Sequence, residues 1–205
     1  EYVSLSNAMR DGSSNIFMDI FAESILRINP DLDDGDVKRI FETVSLALDN
    51  EDLGQVFFNM LTATSGTRLI DFRNFDNNSF HVVTELTCKN GDDEFRPDIT
   101  LLINGMPLAF IEVKKPNNHE GILAERDRIN VRFKNKKFRK FINISQILVF
   151  SNNMEYDSEA IEPIQGAFYS TTSYNSTNFN CFREEETFDL DAILKPEDDA
   201  LETFV

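Results

Sequence analysis

The chain has 205 residues, of which 41% are hydrophobic and 27% charged, a balance typical of one folded globular domain and not of a disordered polymer. Its net charge of −16, taken alone, argues against a nucleic-acid-binding protein, because phosphate contacts need Lys and Arg. The charge is unevenly distributed, however. Residues 126–140 hold eight of the 20 basic residues and a single acid, whereas residues 184–202 hold nine acids and one Lys, so the average conceals a basic patch and an acidic tail.

The two cysteines, Cys88 and Cys181, have no motif spacing and predict neither a zinc site nor a disulfide framework. No apolar run is long enough to span a membrane, and no secretory signal is evident. We therefore expect a cytoplasmic protein that does not associate with membranes. Because the sequence begins at Glu1 rather than Met, we also expect a piece of a longer protein, and whether residues 1–9 are native stays open.

The first third of the chain has the apolar spacing of amphipathic helices. Asn15 is a candidate N-cap for a helix that ends before Pro30, since Asn is favoured at that position. Two more helices are predicted over 34–48 and 53–61. The N-terminal helices together are expected to occupy residues 15–64.

The apolar period then changes to the alternation of β-strands. Strands are predicted over 80–88, 97–103 and 108–114. The last two flank Asn104-Gly105, which is a strong signal for a β-hairpin.

The remaining sequence predicts how the sheet is completed. A helix from residue 121 to about 140 leads to a short apolar strand at 146–150, and such a crossover joins parallel strands. The element order predicts an α/β domain with a mixed β-sheet flanked by helices, whose core occupies 78–155. Closing strands are expected within 163–182, followed by an acidic linker or tail at 183–205.

The segment 96–116 combines charged residues with apolar strands. Alternation along its second strand predicts that Glu112 and Lys114 share a face with Leu108 and Phe110. Burying such charged groups costs on the order of several kcal/mol unless they are paired or bind an ion. The strand therefore predicts either an ion pair or an ion-binding site.

Asp98 lies near the start of the partner strand, and the hairpin loop decides which face it occupies. A three-residue loop would put Asp98 on the face of Glu112, whereas a strict two-residue loop would put it on the opposite face. We expect a three-residue loop with Gly105 in a left-handed bulge, or a compensating bulge elsewhere.

Two carboxylates beside a lysine suit the metal-dependent hydrolysis of a phosphodiester. Asp98 and Glu112 can hold Mg²⁺ while leaving places for water and a phosphate oxygen. Lys114 can orient or deprotonate that water and add positive charge near the phosphate. The alternative for the same residues is a buried pair of Glu112 and Lys114, with Asp98 capping a turn.

Basic residues recur along the predicted crossover helix, on a face other than that of Ile122, Ile129 and Phe133. Such a stripe can hold DNA phosphates without reading bases, and the alternative is an ordinary solvated helix face. The predicted DNA-binding residues are Arg128, Arg132, Lys136, Arg139, Lys140 and Lys115.

The spacing from Pro97-Asp98 to Glu112-Val113-Lys114 resembles the PD-(D/E)xK nuclease signature. More narrowly, the segment FRPDITLLINGMPLAFIEVKKP is similar to the N-terminal endonuclease domain of the restriction (R) subunit of type I restriction-modification enzymes. The flanking segments NFDNNSFHVVTEL and QILVFSNNMEY are similar as well, so that the resemblance covers about residues 15–182. It implies a PD-(D/E)xK restriction-endonuclease-like core, in the order helix, three strands, helix, strand.

The resemblance also implies roles for individual residues. Asp98 and Glu112 would ligate Mg²⁺ with the Val113 carbonyl as a possible third ligand, and Lys114 would be catalytic. An acid of the first helix often completes such sites, and Glu23 is the candidate here, with a surface or capping role as the alternative.

Many members also carry a Gln-x-x-x-Tyr element on the crossover helix. By position this chain offers Asn130, with Lys134 or Phe133, instead.

At the level of the whole protein, the resemblance implies an endonuclease that cuts double-stranded DNA in a bacterial or archaeal cytoplasm. Its partners would be the modification and specificity subunits of a type I restriction complex. An ATP-driven motor would follow this domain, and because no Walker-type motif occurs here, ATP is expected only in the full-length subunit. The alternatives are a related nuclease of DNA repair or recombination, and a non-catalytic module that docks on DNA or a partner.

Overall fold

The computed structural model describes residues 9–116, 121–155 and 165–171, together with the backbone of 180–181. In these ranges the chain forms a 6-stranded sheet, a separate 2-stranded sheet and helices on the sheet's flanks. The predicted α/β class with a mixed sheet is confirmed. No helix in this part of the chain is long and apolar enough to cross a lipid bilayer. The predicted acidic tail at 183–205 lies outside the described residues.

Three helices precede the sheet: α1 (Met18–Ile28), α2 (Asp34–Ala47) and α3 (Gln55–Leu61). A capping box formed by Asp33 and Asp36 starts α2, as expected where each side chain accepts the other's backbone N–H. All three helices lie close to their predicted positions.

The N-cap predicted at Asn15 is wrong. Asn15 is buried and has a left-handed backbone with a φ of 64°, whereas an N-cap residue needs an extended backbone. The preceding turn is instead stabilised by the Asp11 carboxylate, which accepts hydrogen bonds from the backbone N–H groups of Ser13 and Ser14. The helix therefore begins later, after Phe17, which caps it without a side-chain hydrogen bond.

The strands are β1 (Phe80–Thr84), β2 (Cys88–Asn90), β3 (Asp93–Phe95), β4 (Ile99–Ile103), β5 (Met106–Val113), β6 (Ile147–Ser151), β7 (Ala167–Ser170) and β8 (Asn180–Cys181). The large sheet has the strand order β1-β4-β5-β6-β7-β8. Neighbouring strands in it are antiparallel except β5 and β6, which are parallel as the crossover predicted. The closing strands expected within 163–182 correspond to β7 and β8.

The single strand predicted over 80–88 is divided into two. Glu85 has a left-handed backbone with a φ of 53°, which ends β1, and its N–H donates to the Asp98 carbonyl oxygen at 2.9 Å. The chain then forms the small hairpin of β2 and β3, which the sequence pattern did not predict. Short polar strands of this kind have too few alternating apolar residues to be detected.

The crossover helix is also shorter than predicted. The helix α4 (Gly121–Lys134) ends where Asn135 becomes extended, and the Asn135 side chain accepts a hydrogen bond from the Lys137 N–H. A 3-10 turn (Lys136–Phe138) and the helix α5 (Arg139–Ile144) follow. The prediction of one continuous helix to about residue 140 is therefore wrong.

Two clusters of buried apolar side chains hold these elements together. The main core lies between the sheet and α4–α5, and the helical core joins α1–α3 to the hairpin end of β4 and β5. The largest fully buried side chains of the main core are Phe17, Phe110, Phe141 and Phe150, and those of the helical core include Phe21, Phe57, Ile25 and Leu48.

Candidate active site

The turn between β4 and β5 has two residues. Ile103 pairs with Met106, and the two residues between them, Asn104 and Gly105, both have left-handed backbones with φ values of 52° and 77°. This is the geometry of a tight two-residue hairpin turn. The expected three-residue loop is wrong.

The compensating bulge that we expected as the alternative is confirmed. Leu102 pairs with Pro107, but Leu101 pairs with Ala109, so Leu108 is an extra residue on β5. Such a residue reverses the alternation of faces beyond it. The Leu108 carbonyl oxygen accepts a hydrogen bond at 2.6 Å from the N–H of Gln146, the residue just before β6.

The bulge also corrects the predicted face of Leu108. We expected Leu108 and Phe110 to share a face, but Leu108 packs in the helical core and Phe110 in the main core. Beyond the bulge, Ile99 pairs with Ile111. Continuing that register by one residue sets Asp98 opposite Glu112 on the same face.

Asp98 is held against the backbone of β5. Its Oδ2 accepts a hydrogen bond from the Val113 N–H at 2.7 Å. In an extended residue the N–H and C=O point to the same edge of the strand, so the Val113 carbonyl is directed toward the Asp98 side. The Asp98 carboxylate and the Val113 carbonyl, two of the three predicted metal ligands, thus lie on the same side of β5.

Glu112 and Lys114 are drawn together on the same face as Asp98. Glu112 is only 5% exposed, and its Oε2 lies 3.4 Å from Nζ of Lys114. The structure therefore brings together Asp98, Glu112 and Lys114, the three residues predicted to carry the chemistry.

A fourth residue of the site, Glu125 on α4, was missed by sequence reasoning. It is 2% exposed, and its carboxylate lies 3.2 Å from Nζ of Lys114. It also lies 2.9 Å from Nη1 of Arg128 and 3.2 Å from Nη1 of Arg132. The available signal in the sequence was that Glu125 precedes Arg128 by three residues and Arg132 by seven, because residues so spaced share a helix face.

This geometry also bears on the position expected to replace the Gln-x-x-x-Tyr element. By position, the sequence offers Asn130, with Lys134 or Phe133, in place of that element, a departure that gave no clear residue of the helix for the site. The α4 residue that contacts Lys114 is Glu125 instead, and Phe133 packs against the main core.

The site makes the Glu112 carboxylate hard to ionise. Burial raises the pKa of Glu112 to about 7, and the negative charges of Glu125 and Asp98 add to the rise, whereas Lys114 and Arg132 act in the opposite direction. Asp98 is therefore close enough to Glu112 for its negative charge to raise the Glu112 pKa. A bound cation would favour the ionised form of such a buried carboxyl group.

Glu23 does not lie at this site. Its side chain is 78% exposed and pairs with Arg27 at 3.5 Å. Arg27 in turn donates to the Asn77 carbonyl oxygen and to Oγ of Ser79, just before β1 and at the far end of that strand from Asp98. The prediction of Glu23 as a metal ligand is wrong, and its alternative, a surface role, fits the structure.

The predicted basic stripe is divided by the break at Asn135. Only Arg128 and Arg132 lie beside the site, where both pair with Glu125. Beyond the break, Lys136 and Arg139 pair with Glu51, and Nζ of Lys140 donates to Oγ of Ser45. Lys115 is exposed directly after Lys114. DNA binding by these six residues stays a prediction, but they do not form one stripe.

The donors at the site suit a hard divalent cation. Two carboxylates and a backbone carbonyl are oxygen ligands of the kind that Mg²⁺ prefers, and a cation would compensate the buried charge of Glu112. In the described part of the chain, no group of three or more His, Cys, Asp or Glu side chains is arranged to hold a metal ion. The fit therefore depends on these two carboxylates and the Val113 carbonyl.

Comparison with known proteins gives consistent matches over the same region. Residues 3–157 match the sequence model of the family described as type I restriction enzyme R protein N terminus. The chain is 30% identical over 156 residues to a putative type I restriction enzyme endonuclease subunit, MjaIXP, of Methanocaldococcus jannaschii, which covers 66% of this chain and 14% of that protein. It is 29% identical over 126 residues to the type I restriction enzyme HindI endonuclease subunit of Haemophilus influenzae, which covers 53% of this chain and 12% of that protein.

A second subunit of Methanocaldococcus jannaschii, the putative type I restriction enzyme MjaVIIP endonuclease subunit, is 46% identical over 59 residues, which cover 27% of this chain and 6% of that protein. The chain thus spans 14% or less of the length of these relatives.

Proposed function

Because the chain belongs to the family of type I restriction enzyme R protein N termini, we propose that it is the endonuclease domain of such a subunit and hydrolyses DNA phosphodiester bonds. The observation that carries this proposal is the convergence of Asp98, Glu112 and Lys114 on one face of a bulged hairpin. The family supports the use of a divalent cation in general, and Mg²⁺ is the specific cation that we propose.

The residues have distinct tasks in this reaction. The carboxylates of Asp98 and Glu112, with the Val113 carbonyl, would hold Mg²⁺. When bound, the ion supplies positive charge to the phosphate and lowers the pKa of a coordinated water. Lys114 orients the attacking water and places its ammonium near the phosphate, where added positive charge favours the reaction.

The predicted basic residues supply contacts to DNA around this centre. Of the two that lie beside the site, Arg128 is more accessible than Arg132, since their side chains are 64% and 22% exposed although both contact Glu125. Lys115 is exposed next to the catalytic lysine. Because the chain carries a net charge of −16, we expect DNA binding by the domain alone to be weak and sensitive to salt.

The position of the domain in a larger protein is also part of the proposal. We infer that residues 1–182 form the endonuclease domain and that 183–205 begin an acidic linker to an ATP-driven motor. The chain aligns with 14% or less of the length of these relatives, which supports this arrangement. The partners would be double-stranded DNA and the modification and specificity subunits, in the cytoplasm. The names of the relatives favour restriction over a repair nuclease.

The test uses the full-length subunit assembled with its partner subunits. The Lys114→Ala variant is expected to lose nicking by about 100-fold or more, because one transition-state contact of this kind contributes about that much, while ATP-driven translocation continues. Lys137→Ala is the matched control, since Lys137 pairs with Asp93 away from the site, and it should cleave as the wild type does. Cleavage that survives the loss of Lys114 contradicts the assignment.

A further inference from the structure

Glu125 is a buried carboxylate to which the proposed hydrolysis assigns no role. Its two oxygens contact three cations: Lys114 at 3.2 Å, Arg128 at 2.9 Å and Arg132 at 3.2 Å. Burying a charge so completely is costly unless it is well paired. One carboxylate from α4 thus compensates positive charge from two different elements.

The position of Lys114 depends on this carboxylate. Its ammonium lies between Glu112 at 3.4 Å and Glu125 at 3.2 Å. If the Glu112 oxygens are used to hold a cation, they attract Lys114 less strongly. Glu125 then remains as the partner that keeps the ammonium beside the site.

When all its carboxylates are ionised, as they would be with a cation bound, the cluster as a whole is neutral. Arg132 is near enough to Glu112 for its charge to be felt there, so an uncompensated Arg132 would repel a divalent cation at that carboxylate. The negative members are Asp98, Glu112 and Glu125, and the positive members are Lys114, Arg128 and Arg132.

We propose, on the basis of the proposed function, that Glu125 is a positioning residue with two tasks. It fixes the Lys114 ammonium beside Glu112, and it cancels the charge of Arg132, so that the site accepts a divalent cation. Removing its charge while keeping its shape therefore weakens metal binding and releases arginines toward DNA. A purely structural residue would not produce opposite effects on the two ligands.

The experiment measures Mn²⁺ binding by titration calorimetry and the binding of a short DNA duplex at low salt. Glu125→Gln is expected to weaken Mn²⁺ binding by about 10- to 100-fold, the usual effect of losing a residue that orients the groups around a metal. DNA binding by the same variant is tighter, because Arg128 loses its carboxylate partner. Asp93→Asn, which removes an equal charge paired with Lys137, is the control and should bind Mn²⁺ as the wild type does.

A second variant tests the charge balance if Glu125→Gln does not fold. Arg132→Gln leaves Glu125 in place and makes the cluster negative, so Mn²⁺ binding should tighten by about three- to tenfold. Unchanged Mn²⁺ binding in Glu125→Gln, or a parallel loss of its Mn²⁺ and DNA binding, overturns the proposal. Where Glu125→Gln does not fold, unchanged Mn²⁺ binding in Arg132→Gln overturns it. If Glu112→Gln still binds Mn²⁺ as the wild type does, the proposed function fails as well. If only Glu112→Gln loses Mn²⁺, the role of Glu125 alone is refuted.

Discussion

Replacing Glu112 by Gln should stabilise the domain at alkaline pH in the absence of divalent cations. Because the pKa of Glu112 is raised from 4.5 to about 7, the folded protein binds this proton more tightly than the unfolded chain does. The associated stability is fully present below about pH 4.5 and is lost as the pH rises through about 7. Gln keeps the shape of the side chain and removes the titration.

The expected size follows from the rise in pKa. At about 1.4 kcal/mol for each pH unit, the rise from 4.5 to about 7 corresponds to a difference of about 3 kcal/mol at pH 8. Lys114 keeps Glu125 as its partner in the variant, 3.2 Å away, so the substitution leaves no buried ammonium unpaired. The Gln variant is therefore expected to be more stable than the wild type at pH 8 and of equal stability near pH 4.5.

The assay is urea unfolding of both proteins at several pH values with a chelator present. Comparing the variant with the wild type at each pH cancels the titration of the other acids. Glu51→Gln is the control of opposite sign, because Lys136 and Arg139 lower the pKa of the exposed Glu51, so this variant should lose stability above pH 4.5. A Glu112→Gln protein that is less stable than the wild type at pH 8 would refute the reasoning.

Further predictions concern the turn, the helix cap and the metal. Gly105→Ala should lower the free energy of unfolding in urea by about 2 kcal/mol or more, because alanine is strained at a left-handed φ and its methyl group would lie 2.6 Å from the Phe17 carbonyl oxygen. Gly66→Ala is the control, since Gly66 has a similar φ of 75° but open space around it, and it should cost only about 1 kcal/mol. Equal losses in the two variants would contradict the close approach at Gly105. Asp33→Ala should lower stability by about 1 kcal/mol through loss of the capping box, and an unchanged unfolding midpoint would contradict it. Mg²⁺ at 100 times its Kd should stabilise the wild type by about 2.7 kcal/mol, whereas Asp98→Asn should gain little, and equal gains in thermal unfolding would argue against Asp98 as a ligand.

Much of the fold could be predicted because its signals are local. The alternation of apolar residues revealed the strands, Asn104-Gly105 revealed the hairpin, and the long crossover implied the parallel pair of β5 and β6. The motif spacing then identified Asp98, Glu112 and Lys114, which the structure brings together.

The features that the sequence did not reveal depend on contacts between distant segments. The bulge at Leu108 is recognised only when β5 has its partners, including the Gln146 N–H that bonds to Leu108, although the need for some compensation was predictable. Glu125 reads as an ordinary polar helix residue until α4 is packed against the sheet. The prediction of Glu23 as a metal ligand was wrong for the same reason, since a helical pattern alone does not show which end of the sheet the helix contacts.

The central claim is that Asp98 and Glu112 hold a divalent cation beside Lys114. The most direct measurement is anomalous diffraction at the manganese absorption edge from crystals of the domain grown with Mn²⁺. We predict one or two peaks whose nearest protein atoms are the carboxylate oxygens of Asp98 and Glu112 at about 2.2 Å, with Lys114 next to them. Well-ordered side chains at these positions with no anomalous density between them, at Mn²⁺ concentrations that support cleavage by the full-length enzyme, would contradict the claim.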